Sequence, residues 1–224
     1  FLLIYIAVFT LINFFLGARI HSSGNSKLIF RTGIFINLVQ LFILKYASFT
    51  FDPLFHLLDS DFNFGNLSEI IVPVGISFFT LQGIGYLINI RMRWEEPEKN
   101  FFHFFLYIVF YPRFLSGPIE RSNHFLPQLK SRIAFNQEEV MAGLRTAIFG
   151  VFKKIAIANQ LAPFVSSAYE NIGKADGSLF WILFFIQPLY LYFDFSGYTD
   201  IAVGLARTFG IKLLSNFNSP FLSE

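Results

Sequence analysis

The stretch from Leu179 to Ala206 is an apolar run long enough to cross a bilayer as a helix. In lipid the backbone N–H and C=O groups of such a run must be satisfied internally, which leaves only the helix or the closed barrel. Inside the run, Asp194-Phe195-Ser196-Gly197-Tyr198-Thr199-Asp200 sets two carboxylates, two hydroxyl side chains beside Tyr198, and a glycine. Ionisable groups are costly at that depth and face a cavity, a partner or a substrate path, so the motif marks where function is to be sought.

The composition extends this reading to the whole chain. Hydrophobic residues make up 54% of the sequence, charged residues 14%, and 33 of 224 residues are Phe, which places the chain in a membrane as one polytopic, all-α domain. A net charge of +2, with Lys and Arg scattered, gives no nucleic-acid surface. The absence of Cys removes disulfides, thiolate metal sites and a Cys nucleophile. His21, His56, His103 and His124 lack the helical i, i+4 spacing of a zinc pair, so no metal is expected.

The chain opens inside an apolar stretch without a charged n-region, and Phe1–Gly17 reads as the end of a transmembrane helix whose start is missing. The basic segment Ala18–Arg31 is expected in the cytoplasm, Thr32–Phe51 as a span, and the acidic segment Asp52–Glu69 outside. Ile70–Ile90 is a further span, after which Arg91, Arg93 and Lys99 return the chain to the cytoplasm. Asn100–Ser116 has a short apolar core between two basic flanks. It is expected to enter and leave on one face as a re-entrant segment, with breaks at Tyr111-Pro112 and Gly117-Pro118 and with Pro112–Glu120 at a cavity wall. The alternative is a cytoplasmic turn after an interfacial helix.

Gln137–Tyr169 has helical periodicity interrupted by Arg145, Lys153 and Lys154, and the lysines are expected to snorkel to the headgroups rather than bind a substrate. In the Asp194–Asp200 motif, Gly197 permits a helix break. On the structural alternative Asp194 or Ser196 caps a new helix and Asp200 pairs with Arg207. Asp194 leans to function, because no cation lies within one helical turn of it in sequence. The aromatic residues, Trp94 and Trp181 included, read as lipid-facing surface and interface belt. His103 and His124 read as hydrogen-bonded interfacial residues.

Five ordered blocks carry a resemblance. Val72–Thr80, Phe110–Arg121, Lys153–Asn159, Tyr192–Ala202 and Asn216–Phe221 resemble the signatures of the membrane-bound O-acyltransferase family, in its bacterial alginate O-acetyltransferase and teichoic acid D-alanyl transfer branch. Arg113 and Asn89 depart from the residues common in that branch. The resemblance implies a funnel in which an acyl thioester, acetyl-CoA or acyl carrier protein, meets an acceptor hydroxyl at a catalytic His. That His is expected beyond Glu224, so none of the four present is assigned as catalytic and the fragment alone is expected to be inactive. The cavity residues on this reading are Asp194, Ser196, Tyr198, Asp200, Pro112, Arg113, Gly117, Pro118, Asn216 and Asn218. The implied partners are the bilayer of the bacterial cytoplasmic membrane, the acyl donor, and an envelope polysaccharide or a periplasmic acyltransferase. A secondary transporter and a non-catalytic envelope assembly subunit are the competing classes.

Overall fold

Every regular element among the described residues is helical, as a chain whose backbone cannot be hydrated requires. The computed structural model describes residues 2–57, 75–114, 117–118, 120–131, 135–171, 173, 177–214 and 216–217. The α-helices are α1 (Leu2–Ser22), α2 (Ser26–Leu57), α3 (Ile76–Arg91), α4 (Phe101–Val109), α5 (Ser122–Lys130), α6 (Gln137–Phe152), α7 (Asn159–Glu170) and α8 (Gly177–Thr208). A 3-10 turn spans Tyr111–Arg113, and a π-helical stretch, Lys153–Ala158, joins α6 to α7. Among the described residues, three segments are long and apolar enough to cross a membrane: Leu2–Ser22, Ser26–Tyr46 and Gly177–Thr208.

The helices are longer than hydropathy alone indicates. Only Ser23, Gly24 and Asn25 of the basic segment Ala18–Arg31 leave the helices, because the Asn25 carbonyl accepts from the N–H groups of Leu28 and Ile29 and starts α2 at once. Helix α2 then continues to Leu57, into the segment read as an acidic outer loop, the rest of which lies outside the described residues. The start of the Ile70–Ile90 span also lies outside them, and α3 begins after Gly75, whose φ of 79° suits glycine. A Cβ at Gly75 would also stand 2.7 Å from the Phe114 carbonyl oxygen. Helix α4 has nine residues and covers about 14 Å, half the hydrocarbon thickness, and its chain turns at Tyr111-Pro112 as expected.

The structure divides into two compact units, Phe1–Leu115 with Ile119–Ser131, and Ser116–Pro118 with Arg132–Glu224. In the first, α1, α2 and α3 pack on one another through small residues and paired amides. Asn13 and Asn37 exchange side-chain hydrogen bonds of 3.3 and 2.9 Å, and each also donates to the carbonyl four residues back in its own helix. The Tyr5 hydroxyl donates to Gln40 at 2.8 Å, and Gln40 donates to Thr80. Gly17 admits the Tyr86 ring, which a Cβ would meet at 2.6 Å. Aromatic rings fill the remainder, with Tyr86 against Phe104 and Phe110 against Phe125 at centroid distances of 4.3 and 5.0 Å.

In the second unit, α6 and α8 approach until backbone meets backbone. A Cβ at Gly150 would lie 2.6 Å from the Gly197 carbonyl oxygen, and one at Gly204 would lie 2.5 Å from that of Gly143. Paired small residues of this kind let apolar helices associate closely where lipid offers no hydrophobic drive. The break anticipated at Gly197 is therefore corrected: α8 runs unbroken through it, and Gly197 is small because α6 lies against it. No new helix starts at Asp194 or Ser196, so neither caps one.

Candidate functional site

The glycine contact decides which charges can meet. Lys153 and Lys154 follow the close-packed face of α6, and Asp194 and Asp200 flank Gly197 on α8. Adjacent residues of a helix differ by about 100° around its axis, and residues six apart by about 120°, so the two lysines and the two aspartates diverge by similar angles. The flexible lysine arms cover the difference in height. Lys153 Nζ reaches Asp200 Oδ2 at 2.6 Å, and Lys154 Nζ donates to Asp194 Oδ1. The Phe149 ring faces the Lys153 ammonium at 4.9 Å, and the Tyr198 ring faces that of Lys154 at 4.6 Å. The widened π-helical turn begins at these lysines, a feature frequent at functional positions.

Two expectations are corrected by this geometry, and the lack of a cation near Asp194 in sequence is made good. The lysines do not snorkel to headgroups but neutralise the two aspartates. Asp194 has a cation partner, supplied by a different helix rather than by its own neighbours. Asp200 does not pair with Arg207, whose Nε instead donates to Glu139 Oε2 at 2.5 Å. Asp200 and Arg207 lie seven residues apart on α8, nearly two turns and about 10 Å of rise, whereas α6 brings a cation alongside.

Of the remaining residues of the motif, Ser196 is 1% exposed and its Oγ has no hydrogen-bond partner among the described residues. Tyr198 is placed beside Lys154. Phe217 packs on Tyr192 and Phe195 at 5.6 and 5.4 Å, which returns the Asn216-Phe217 segment to α8 near Asp194. Asn216 is exposed, and Asn218 lies outside the described residues.

The Pro112–Arg121 block behaves differently. Arg113 is 1% exposed, donates from Nη2 to the Tyr107 carbonyl, and sits between the rings of Tyr107 and Phe125 at 4.7 and 4.5 Å. It therefore packs as a core cation held between two aromatic rings. Pro112 is half-buried in the 3-10 turn, and Gly117 and Pro118 are buried in the second unit. Glu120 does border a cavity of about 210 Å³ in the first unit, with Gln82, Gly85, Asn89, Trp94 and Tyr107. Its carboxylate meets His124 Nδ1 at 2.5 Å. The Gln82 Oε1 has no partner among the described residues.

Next to this cavity, Asn89 donates to Ser122 at 3.0 Å, and Ser122 donates to Glu95 at 2.5 Å. Burial pushes the Glu95 carboxyl up to about 7, against the hydrogen bonds of Ser122 and Asn89 that hold it down. Three residues on, burial also raises Glu98, but Lys130 at 2.7 Å and the N–H groups of Asn100 and Lys99 outweigh it and leave its carboxyl below the ordinary range. Gln82, Glu95, Glu98 and Ser122 carried no sequence signal. The two lysines did: a pair of cations in one apolar helix and a pair of acids in another must find each other in a low-dielectric setting.

Spanning helices with a charge-balanced polar strip define a multi-pass membrane protein with an organised interior. The sequence matches the model of the membrane-bound O-acyltransferase (MBOAT) family over residues 97–221, and the chain belongs to that family. It is similar to the peptidoglycan O-acetyltransferase of Helicobacter pylori, at 32% identity over 93% of this chain and 45% of the relative. It is also similar to a probable alginate O-acetylase of Pseudomonas aeruginosa, at 30% identity over 100% of this chain and 44% of the relative. The teichoic acid D-alanyltransferase of Bacillus subtilis is 27% identical over 90% of this chain and 49% of the relative. The chain thus spans under half the length of these relatives.

Proposed function

We propose that the whole protein transfers a short acyl group, acetyl above all, from an acyl thioester to hydroxyls of a bacterial cell-envelope polysaccharide. Acetyl-CoA or an acyl carrier protein is the donor, and the polymer itself or a periplasmic acyltransferase takes the group. The protein works in the cytoplasmic membrane, with Asn100–Ser116 re-entrant. Membership of the family supports this reading, together with the names of relatives that modify alginate, peptidoglycan and teichoic acid.

The observation that carries the role of this chain is the pair of ion pairs, Lys154 to Asp194 and Lys153 to Asp200. They hold polar groups inside an apolar helix without net charge, and next to them Ser196 and Tyr198 present hydroxyls. We assign these residues to the wall of the transfer cavity, as groups that organise it rather than as the base acting on the acceptor. A positioned general base contributes about 10² to 10⁴ in rate, and its efficiency rests on a wall that fixes geometry and excludes water.

The test uses the full-length protein in membranes, supplied with a labelled acetyl thioester and an envelope polysaccharide. Label is expected in the polymer, and an Asp194→Asn protein expressed at the wild-type level is expected to turn over at least about tenfold more slowly, equivalent to roughly 1.4 kcal/mol. Label that stays in the thioester pool with every polysaccharide and acceptor protein tried would remove the acyl-transfer reading.

A further inference from the structure

A second site lies at the end of the first unit where α1 turns into α2 and α3 stops. A cavity of about 60 Å³ is lined there by Ile20, His21, Ser23, Ser26, Arg91 and Arg93. Its volume is room for about two water molecules, the scale of one tetrahedral oxyanion and not of an extended ligand.

The charges around it are unbalanced. Neither Arg91 nor Arg93 forms an ion pair or side-chain hydrogen bond with any described residue, and the chain from Ala18 to Arg31 contains no acid. The ends of α1 and α3 contribute roughly half a negative charge each and the start of α2 roughly half a positive one, so two guanidinium groups leave about one and a half positive charges uncompensated. Arg93 also holds a φ of 57°, at the position after a helix where Gly is usual, with Trp94 N–H bonded to the Asn89 carbonyl at 2.9 Å. The backbone thus adopts a left-handed turn at a cationic side chain that lines the cavity.

The location selects the anion. The two helices that meet at the Ser23–Asn25 turn are both long and apolar enough to span the membrane, so their shared end stands at headgroup depth. Arg19, Lys27 and Arg31 add basic charge to the same end, the mark of the cytoplasmic face. Basic pockets between spanning helices on that face take phosphate headgroups.

We propose that Arg91, Arg93, His21 and the Ser23–Ser26 turn form a binding site for the phosphate of an anionic phospholipid. The guanidinium groups supply planar, paired N–H donors, and the α2 N-terminus supplies backbone N–H groups on the other side. Such a lipid seals the α1, α2 and α3 ends together and orients the first unit in the leaflet. The site is independent of the acyl-transfer reading.

Lipid-depleted full-length protein in detergent is titrated with phosphatidylglycerol and, in parallel, with phosphatidylcholine and inorganic phosphate, with Tm as the readout. Phosphatidylglycerol is expected to raise Tm by at least about 3 °C at saturation, with a smaller effect of phosphatidylcholine. Arg91→Gln with Arg93→Gln is expected to abolish the shift, and Arg31→Gln, on the same face but outside the cavity, to keep it. Ser23→Asp preserves the oxygen that accepts the Asn25 N–H and adds a repelling charge at the mouth, so it is expected to abolish the shift without disturbing the turn. An undiminished shift in the double variant and in Ser23→Asp would overturn the site. An equal shift from inorganic phosphate at about 10 mM, or from phosphatidylcholine, would overturn its assignment to an anionic lipid.

Discussion

The two units solve the same problem, polar groups inside lipid-embedded helices, by different means. In the first, neutral amides and hydroxyls pair across helices: Asn13 with Asn37, Tyr5 with Gln40, Gln40 with Thr80. In the second, full charges pair across the glycine seam of α6 and α8. Neutral bonds between membrane helices are worth roughly 0.6 to 2 kcal/mol, and either partner can find a substitute in its own helix, as both asparagines do. A charge left alone has no such substitute. The first arrangement tolerates damage and suits a scaffold; the second is all-or-none and suits a place where geometry has to be held.

The largest effect should follow from leaving one charge unpaired. Lys154→Met, with Asp194 intact, is expected to destabilise the protein by about 3 kcal/mol. That is the low end for a buried pair, because the two side chains keep 23% and 29% of their exposure. Unfolding of the detergent-solubilised protein measures it, and the double variant Lys154→Met with Asp194→Asn should recover most of the loss. Equal destabilisation in single and double variants would make the second unit behave like the first.

A Cβ in the glycine seam comes next. Gly150→Ala puts a methyl 2.6 Å from the Gly197 carbonyl oxygen and is expected to cost about 1–3 kcal/mol by overpacking. At Gly85 a Cβ meets nothing within 4 Å, so Gly85→Ala should be neutral or slightly stabilising. The same thermal unfolding series compares them, and a harmless Gly150→Ala would remove the seam as the device that aligns the ion pairs.

In the first unit, Asn37→Leu should cost only about 1 kcal/mol, since Asn13 keeps its bond to the Phe9 carbonyl. A loss as large as that of Lys154→Met would end the contrast. The smallest effect is one of pH. Glu95 is raised to about 7 from an ordinary carboxyl value near 4.5, so its folded form holds a proton that the unfolded chain has released across that window. Stability should therefore fall as pH rises from about 4.5 to about 7 and then level off, and Glu95→Gln should flatten that slope. An identical pH dependence in the variant would show that Glu95 ionises without penalty.

Much of this was legible beforehand. Periodicity and hydropathy identified an all-helical membrane protein, the turn at Tyr111-Pro112, and the Asp194–Asp200 motif as the polar centre. The partners were not legible, because pairing across helices depends on which faces meet. Gly197 reads equally as a hinge and as a packing contact, and only the Gly150 backbone beside it distinguishes the two. The Pro- and Gly-rich neighbours of Arg113 give no sign that the Tyr107 and Phe125 rings enclose it. Charge balance was the unused signal: two cations and two acids in apolar helices had no cheaper arrangement than each other.

The central claim is that the Asp194–Lys154 pair organises the transfer cavity in addition to holding helices together. Stability and turnover of the full-length enzyme separate these roles when Asp194→Asn is made in the Lys154→Met background, where the charge imbalance is gone. The double variant is expected to fold and express nearly as well as wild type and still to turn over at least about tenfold more slowly. Wild-type turnover in that well-folded double variant would contradict it and leave the pair a structural tie.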